Sequence, residues 1–139
     1  MKTYRLNFEG SILDNQRLNL PTYSGIYLVY RGYLAENRTK VYCNEIIYIG
    51  QAIDIKKRLI DHEKRSSFLH HLQENEVLFY SYAKVAEEDL DRVENALIFK
   101  KQPKLNDKLK DAFLYPQTQI ISTGQCALVP PDFTVDSIT

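Results

Sequence analysis

Apolar residues along this chain occur in short runs that are rich in β-branched and aromatic side chains. Two such runs, residues 24–33 and 41–50, predict strands, and the polar stretch 34–40 between them predicts a hairpin with a long connection. Residues 76–85 are apolar on both faces, as in a strand that is covered on both sides. The pattern therefore predicts at least three strands.

Helical spacing of apolar residues appears in two segments between and after these strands. Asp54 is a suitable N-cap for the first segment, whose apolar positions over residues 55–72 predict one bent helix or two helices. The second segment begins with acidic residues at 87–89 and ends with lysines at 100–101, charges that suit the two ends of the helix dipole. Pro103 then stops the helix.

The two ends of the chain carry weaker patterns. Residues 3–8 predict a short strand, and the polar segment 9–23 predicts a loop. Near the other end, residues 119–122 and 126–129 predict a hairpin around Thr123-Gly124. The order of elements, β-β-α-β-α with additions at the ends, is typical of an α+β fold.

Composition argues against several classes of protein but does not indicate a function. The 139 residues include 18 basic and 18 acidic side chains, so any binding of phosphate must depend on local patches. Cys43 and Cys126 match neither a disulfide framework nor a zinc spacing, and we expect reduced thiols in a cytoplasmic protein. We expect no membrane association and no signal peptide, since no apolar run has the required length.

Arg58 and His62 are the first candidates for chemistry. They are four residues apart on the first predicted helix, so they are neighbours on one face, at the edge of the buried stripe. A guanidinium group matches a phosphate, and an imidazole moves protons near neutral pH. The alternative is a solvated basic face, because Lys56, Lys57 and Lys64 are nearby.

Glu94 is the most unusual residue of the second helix. It lies within the apolar stripe, four residues after Leu90 and four before Ile98. A carboxylate there is costly unless it is paired or binds a cation. Either a structural salt bridge, with Arg58 for example, or a Mg²⁺ site would explain it.

Asn106 and two groups of lysines complete the candidates. Asn106, in the sequence Pro-Lys-Leu-Asn, is either a turn residue or a side chain that reaches back toward Glu94. The adjacent pair His70-His71 predicts no metal site, since neighbouring helical residues point apart. The two local basic patches are residues 56–65 and 100–110. Five lysines within them are candidates for nucleic-acid binding or for ordinary surface: Lys56, Lys57, Lys100, Lys101 and Lys104.

Two tripeptides, Gly25-Ile26-Tyr27 and Tyr48-Ile49-Gly50, lie within the two hairpin strands. With Arg58 ten residues after Tyr48, and with Glu94 on a later helix, they resemble the motifs of the GIY-YIG nuclease superfamily. The match runs over about residues 24–108.

The resemblance implies an α+β fold with a small three-stranded antiparallel sheet flanked by helices. The nuclease-like core would span residues 24–108 of a single domain, with residues 1–23 and 109–139 as short extensions. The connection between Tyr27 and Tyr48, twenty residues, is longer than in compact members of the family, and this hairpin is a candidate DNA contact.

The resemblance also implies a role for each matched residue. Glu94 would be the one protein ligand of a single Mg²⁺ or Mn²⁺ ion. Tyr27 would help to deprotonate the attacking water, with His62 assisting as its proton acceptor. Tyr48 would contact the phosphate or the water, and Arg58 would hold the scissile phosphate.

Asn106 would support the site structurally. The activity implied is hydrolysis of DNA phosphodiester bonds, which leaves 5′-phosphate and 3′-hydroxyl ends. A homodimer or a partner protein would supply specificity. The alternative is a nucleic-acid-binding or protein-interaction module that kept the fold without the activity.

Overall fold

The structure, a computed structural model, describes residues 1–38 and 40–138. The described residues form six strands, three α-helices and two short 3-10 helices. The strands are β1 (Lys2–Leu13), β2 (Gly25–Leu34), β3 (Val41–Ala52), β4 (Val77–Lys84), β5 (Thr118–Gly124) and β6 (Asp132–Val135). The α-helices are α1 (Ile55–Ile60), α2 (Arg65–His71) and α3 (Leu90–Lys101), and the 3-10 helices cover Asp14–Asn19 and Glu87–Asp89.

All six strands belong to one mixed sheet with the order β3-β2-β4-β1-β5-β6. The strand β2 pairs antiparallel with β3, as the predicted hairpin requires, and antiparallel with β4 on its other edge. The α+β class is confirmed, but the predicted small three-stranded sheet is wrong. Both terminal segments, expected to be extensions, add strands to the same sheet.

The strand β1 is what joins the two halves of the sheet. Its first part, residues 2–8, pairs in parallel with β5, and its last part, from Glu9 to Leu13, pairs antiparallel with β4. Gly10 lies at the change of partner with a φ of 137°, and a Cβ there would meet the Tyr80 carbonyl oxygen at 2.8 Å. The predicted loop over residues 9–23 is therefore wrong in its first part, because the chain stays extended and pairs there.

The predicted hairpin near the end of the chain is also wrong. The strand β5 pairs antiparallel with β6 rather than with residues 126–129. Those residues instead form a turn, in which the Val129 N–H donates to the Cys126 carbonyl. With β1 on its other side, β5 has a strand neighbour on each edge.

Helices cover both faces of the central strands and create two apolar cores. Along β2, Ile26, Leu28 and Tyr30 face the core beneath α3, whereas Tyr27 and Val29 face the core beneath α1 and α2. This alternation gives a three-layer arrangement, with α3 on one face of the sheet and α1 and α2 on the other. The strand β4 is buried on both faces, as its sequence predicts.

The helix boundaries follow local signals in the sequence. The Asp54 carboxylate caps α1 by accepting from the Lys57 N–H at 2.9 Å. The turn at residues 61–64 then separates α1 from α2, so two helices form. Beyond α3, Gln102 adopts a left-handed conformation and its N–H closes the helix on the Ile98 carbonyl. Within residues 1–38 and 40–138, no helix has the length and apolarity needed to cross a membrane.

Candidate active site

Three aromatic rings meet on the face of the sheet beneath α1 and α2. Tyr27 of β2 is buried, and its Oη lies 2.8 Å from Nε2 of His62, in the turn between α1 and α2. Tyr48 of β3 completes the group, with its ring centroid 6.3 Å from that of Tyr27 and 5.4 Å from that of His62. Tyr27, Tyr48 and His62 therefore form one aromatic cluster.

The backbone of β3 turns Tyr48 toward this cluster. The register between β2 and β3 shifts between Val29 and Tyr30. As a result Ile47 and Tyr48, although adjacent, both pack against the same core. Phe68 of α2 lies behind, with its ring centroid 5.2 Å from that of Tyr48.

Gly50 provides the space that the Tyr27 ring occupies. It is the cross-strand partner of Tyr27, and a Cβ added there would lie 2.3 Å from both Cζ and Oη of Tyr27. No other residue type leaves room for the phenol at this position. The second tripeptide therefore supports the first through direct contact.

Arg58 of α1 lies beside the cluster, but its guanidinium group is already paired. It forms a two-pronged ion pair with Glu63, in which Nη2 donates to Oε1 at 2.9 Å. This hydrogen bond raises the pKa of Arg58, while the Glu63 pKa falls to about 2. The alternative of an ion pair between Arg58 and Glu94 is therefore not observed in the described part of the chain.

Burial and charge set the protonation of the aromatic cluster at neutral pH. Burial raises the pKa of Tyr27, and the positive charge of Arg58 only partly opposes this. Burial also raises the pKa of Tyr48. Burial and the Arg58 charge together lower the pKa of His62 to about 4. At pH 7 the cluster therefore consists of two phenols and one neutral imidazole.

Glu94 belongs to α3, which packs on the face of the sheet opposite to α1 and α2. Its Oε1 accepts a hydrogen bond of 2.9 Å from the Gln51 side-chain amide, which also donates to Asp91. Among the residues the structure describes, Glu94 forms no ion pair. Burial raises its pKa, and hydrogen bonds from Gln51 only partly oppose this. Glu94 is thus a half-buried carboxylate without a cationic partner.

Asn106 fixes the outer edge of β3 next to Tyr48. Its amide donates to the Ile49 carbonyl at 2.9 Å and its Oδ1 accepts from the Ile49 N–H at 3.0 Å. The preceding residue extends this pairing, since the Leu105 N–H donates to the Ile47 carbonyl. Asn106 therefore acts on the strand backbone, and its amide is occupied there rather than with Glu94.

A cavity of about 250 Å³ lies beside Tyr48, Glu94 and Asn106, whereas Tyr27, Arg58 and His62 are not among its lining residues. One part of it is lined by Tyr48, Glu63, Lys64 and Glu94, and the rest by Ile98 and residues 106–109. The cavity thus combines side chains from β3, from the turn between α1 and α2, from α3 and from the segment after α3.

The five predicted nucleic-acid-binding lysines lie outside this cavity. Lys56 and Lys57 of α1 line a separate hollow, and Lys101 and Lys104 line another hollow at the C-terminal end of α3. Lys104 pairs with Glu45 at 3.3 Å, and the Lys100 Nζ lies 5.8 Å from the centre of the Phe133 ring. These lysines form no single patch around the site.

Three residues of the site were not singled out by the sequence: Gln51, Glu63 and Lys64. Lys64 lies with its Nζ 5.7 Å from the centre of the Tyr48 ring and 2.8 Å from Asp107. Gln51 directly follows the second tripeptide, and Glu63 and Lys64 directly follow His62. Adjacency to matched residues was the one signal that could have pointed to them.

The residues present fit a single hard cation. Three carboxylates line the cavity, and because Glu63 is paired with Arg58 and Asp107 with Lys64, Glu94 is the one without a cationic partner in the described part of the chain. No group of three His, Cys, Asp or Glu side chains suited to a metal occurs among residues 1–38 and 40–138. Mg²⁺ is commonly held by one or two carboxylates while it keeps several waters. Burial raises the pKa of Glu94, and a cation bound to the carboxylate would lower it.

Comparisons with known proteins gave one similar solved structure. No family profile matches the chain, and no curated protein matches its sequence. The fold is similar to the crystal structure of the GIY-YIG N-terminal endonuclease domain of UvrC from Thermotoga maritima, a point mutant bound to the catalytic divalent cation. The TM-score is 0.46 and the identity 21%, over 68% of this chain and 93% of that chain.

Proposed function

We propose that this protein is a metal-dependent DNA endonuclease of the GIY-YIG type, which leaves 5′-phosphate and 3′-hydroxyl ends. The observation that supports this most is that Tyr27, Tyr48 and His62 form one cluster beside Arg58. Tyr48 of this cluster also lines the cavity whose wall carries Glu94. These residues come from two strands and two helical layers.

In this proposal Glu94 holds the metal ion through its carboxylate, which Gln51 orients by a hydrogen bond to Oε1. When bound, Mg²⁺ or Mn²⁺ would supply positive charge against the phosphate oxyanions. Arg58 would bind the scissile phosphate, and Glu63 would have to release it first. Lys64, on the cavity wall, would add a second positive charge near the phosphate.

Tyr27 is the group that would contact the attacking water. Its raised pKa makes it a neutral phenol in the protein alone, so it acts as a base only if cations at the site lower that pKa. Tyr48 would contact the phosphate, and Asn106 would hold β3 so that both phenols keep their positions.

We further propose that the five predicted lysines Lys56, Lys57, Lys100, Lys101 and Lys104 contact DNA as separate points rather than as one patch, and that the β2–β3 connection assists. Because the net charge is zero, we expect weak affinity that falls steeply with salt. Sequence specificity would then come from a second copy of the chain or from a partner protein. We place this activity in the cytoplasm, on composition alone.

A plasmid-nicking assay tests the proposal directly. Supercoiled DNA is incubated with the protein in Mg²⁺, in Mn²⁺ and in EDTA, alongside Glu94→Gln and the exposed α3-proximal control Glu88→Gln. We expect nicking with either metal by the wild type and the control, and none in EDTA or with Glu94→Gln. Nicks that DNA ligase reseals would carry the proposed ends. Absence of metal-dependent cleavage on single- and double-stranded DNA would instead favour a binding module.

A further inference from the structure

Both ring nitrogens of His62 have partners, and one of those partners can only donate. The Lys64 backbone N–H lies 3.0 Å from Nδ1, and the Tyr27 Oη lies 2.8 Å from Nε2. His62 is 6% exposed. The imidazole is therefore held at both ends within the fold.

The Lys64 contact determines which nitrogen carries the proton. A backbone N–H cannot accept, so Nδ1 must present its lone pair. A neutral imidazole then carries its one hydrogen on Nε2, and Nε2–H donates to Oη of Tyr27. The Tyr27 hydroxyl, whose oxygen accepts from His62, must direct its own hydrogen to another group.

The surroundings keep the imidazole neutral. Arg58 on α1 and Lys64 in the same turn are positive, while Glu63 is negative and already bound to Arg58. Tyr27 and Tyr48 face the ring from the sheet as phenols, and Phe68 faces it from α2. A second proton would have to sit on Nδ1, against the Lys64 N–H.

We propose that His62 is a positioning residue, which holds Tyr27 through an Nε2–H donor and does not take the Tyr27 proton. This differs from the acceptor role that the family resemblance implies. It rests on the proposed function only in taking Tyr27 to be part of the reacting site. The same hydrogen bond would stabilise a Tyr27 phenolate, since Nε2–H donates to either form of the oxygen.

NMR of protein labelled with ¹⁵N-histidine tests the tautomer without any substrate. The chain has three histidines, and the exposed His70 serves as the internal control. We expect His62 to show a protonated Nε2 and an unprotonated Nδ1 at pH 7, whereas His70 shows the average of exchanging tautomers. A protonated Nδ1, or an average like that of His70, would overturn the proposal even if the protein cleaves no DNA.

Two substitutions test the role in cleavage. His62→Gln keeps an N–H donor near the Nε2 position, whereas His62→Phe keeps only the shape, and His70→Gln is the control. We expect His62→Gln to stay within about tenfold of the wild type with the same pH profile, and His62→Phe to lose a further ~10-fold or more. Equal loss in both variants, with loss of the acid limb of the pH profile, would identify a proton acceptor instead.

Discussion

Glu76 and Glu94 each accept a hydrogen bond from an amide side chain of β3, Asn44 and Gln51 respectively, yet their surroundings differ. Glu76 accepts from Arg31 at 2.6 Å, from Asn44 at 2.7 Å and from the Gln73 N–H at 2.7 Å. Burial alone would raise the pKa of Glu76, but these partners outweigh it and the pKa lies below its ordinary value. Glu94 has the Gln51 amide and no cationic partner in the described chain, and its pKa is raised.

The contrast separates two uses of buried charge. A carboxylate whose partners are all provided by the protein contributes to the fold and has no capacity left for a ligand. A carboxylate that keeps a free oxygen at a cavity costs stability, and that cost is recovered when a cation binds. Glu76 is buried and Glu94 is half-buried. Their partners fit a structural role for Glu76 and the proposed metal-binding role for Glu94.

Exchanging each glutamate for glutamine gives the largest expected effects, on DNA cleavage at Glu94 and on the free energy of unfolding at Glu76. Glu94→Gln should lower DNA cleavage at least about 100-fold, because a neutral amide is a poor metal ligand, while the free energy of unfolding stays equal or rises. Glu76→Gln should lower the free energy of unfolding by about 2–4 kcal/mol, because Arg31 loses a buried partner. Urea unfolding measures the free energy of unfolding of each variant, and plasmid nicking measures its DNA cleavage. Similar destabilisation by both variants would contradict the comparison.

The pH dependence of stability should reveal the neutral imidazole next. Since the folded protein holds the His62 pKa at about 4 against an ordinary 6.5, the unfolded chain binds more protons between these values. The contribution of His62 to the free energy of unfolding should therefore be fully present above pH 6.5 and be lost as the pH falls toward 4. The loss should be about 3 kcal/mol. His62→Gln removes this contribution, and urea unfolding at pH 7 and at pH 4.5 measures the difference. If the free energy of unfolding of His62→Gln falls with pH as steeply as that of the wild type, the prediction for His62 is wrong.

Metal binding should then raise the stability of the protein through Glu94. At a tenfold excess of Mg²⁺ or Mn²⁺ over its dissociation constant, the expected gain is about 1.4 kcal/mol, seen as a higher Tm. The gain should be absent in Glu94→Gln and preserved in Glu76→Gln. An equal rise of Tm in both variants would place the cation elsewhere.

Releasing Arg58 should have the smallest effect. Glu63→Gln removes the carboxylate that competes with phosphate, and because exposed ion pairs contribute about 0–1 kcal/mol, substrate affinity should rise up to about fivefold. Glu74→Gln makes the same charge change at an exposed position on the segment between α2 and β4. Filter binding at fixed salt, with EDTA to prevent cleavage, measures both variants. Equal gains in affinity from Glu63→Gln and Glu74→Gln would show that the change in net charge, and not the release of Arg58, causes the effect.

Local patterns predicted the central elements well. The runs at 24–33 and 41–50 became β2 and β3, and the acidic start and lysine end of the second helix match α3. Asp54 caps α1 because N-cap chemistry depends on a few neighbouring residues. Glu94 stood out because a carboxylate in an apolar stripe contradicts its surroundings.

Pairing over long distances along the chain could not be read in the same way. Lys2 lies opposite Thr118 in the parallel pair of β1 and β5, and no local signal names such a partner. The hairpin predicted around Thr123-Gly124 failed for this reason, since a turn motif says nothing of a strand that arrives from elsewhere. The predicted small sheet was too small because it omitted both termini.

The order of residue types along the chain was enough to select the candidates: two tripeptides, Arg58, His62 and Glu94. Covalent order specifies which groups are available and which helical faces they share. It does not specify their partners, because Glu63 on Arg58, Gln51 on Glu94 and the Lys64 N–H on His62 come together only when the layers pack. Those partners set the pKa values and the direction of each hydrogen bond, and through them the chemistry the site can perform.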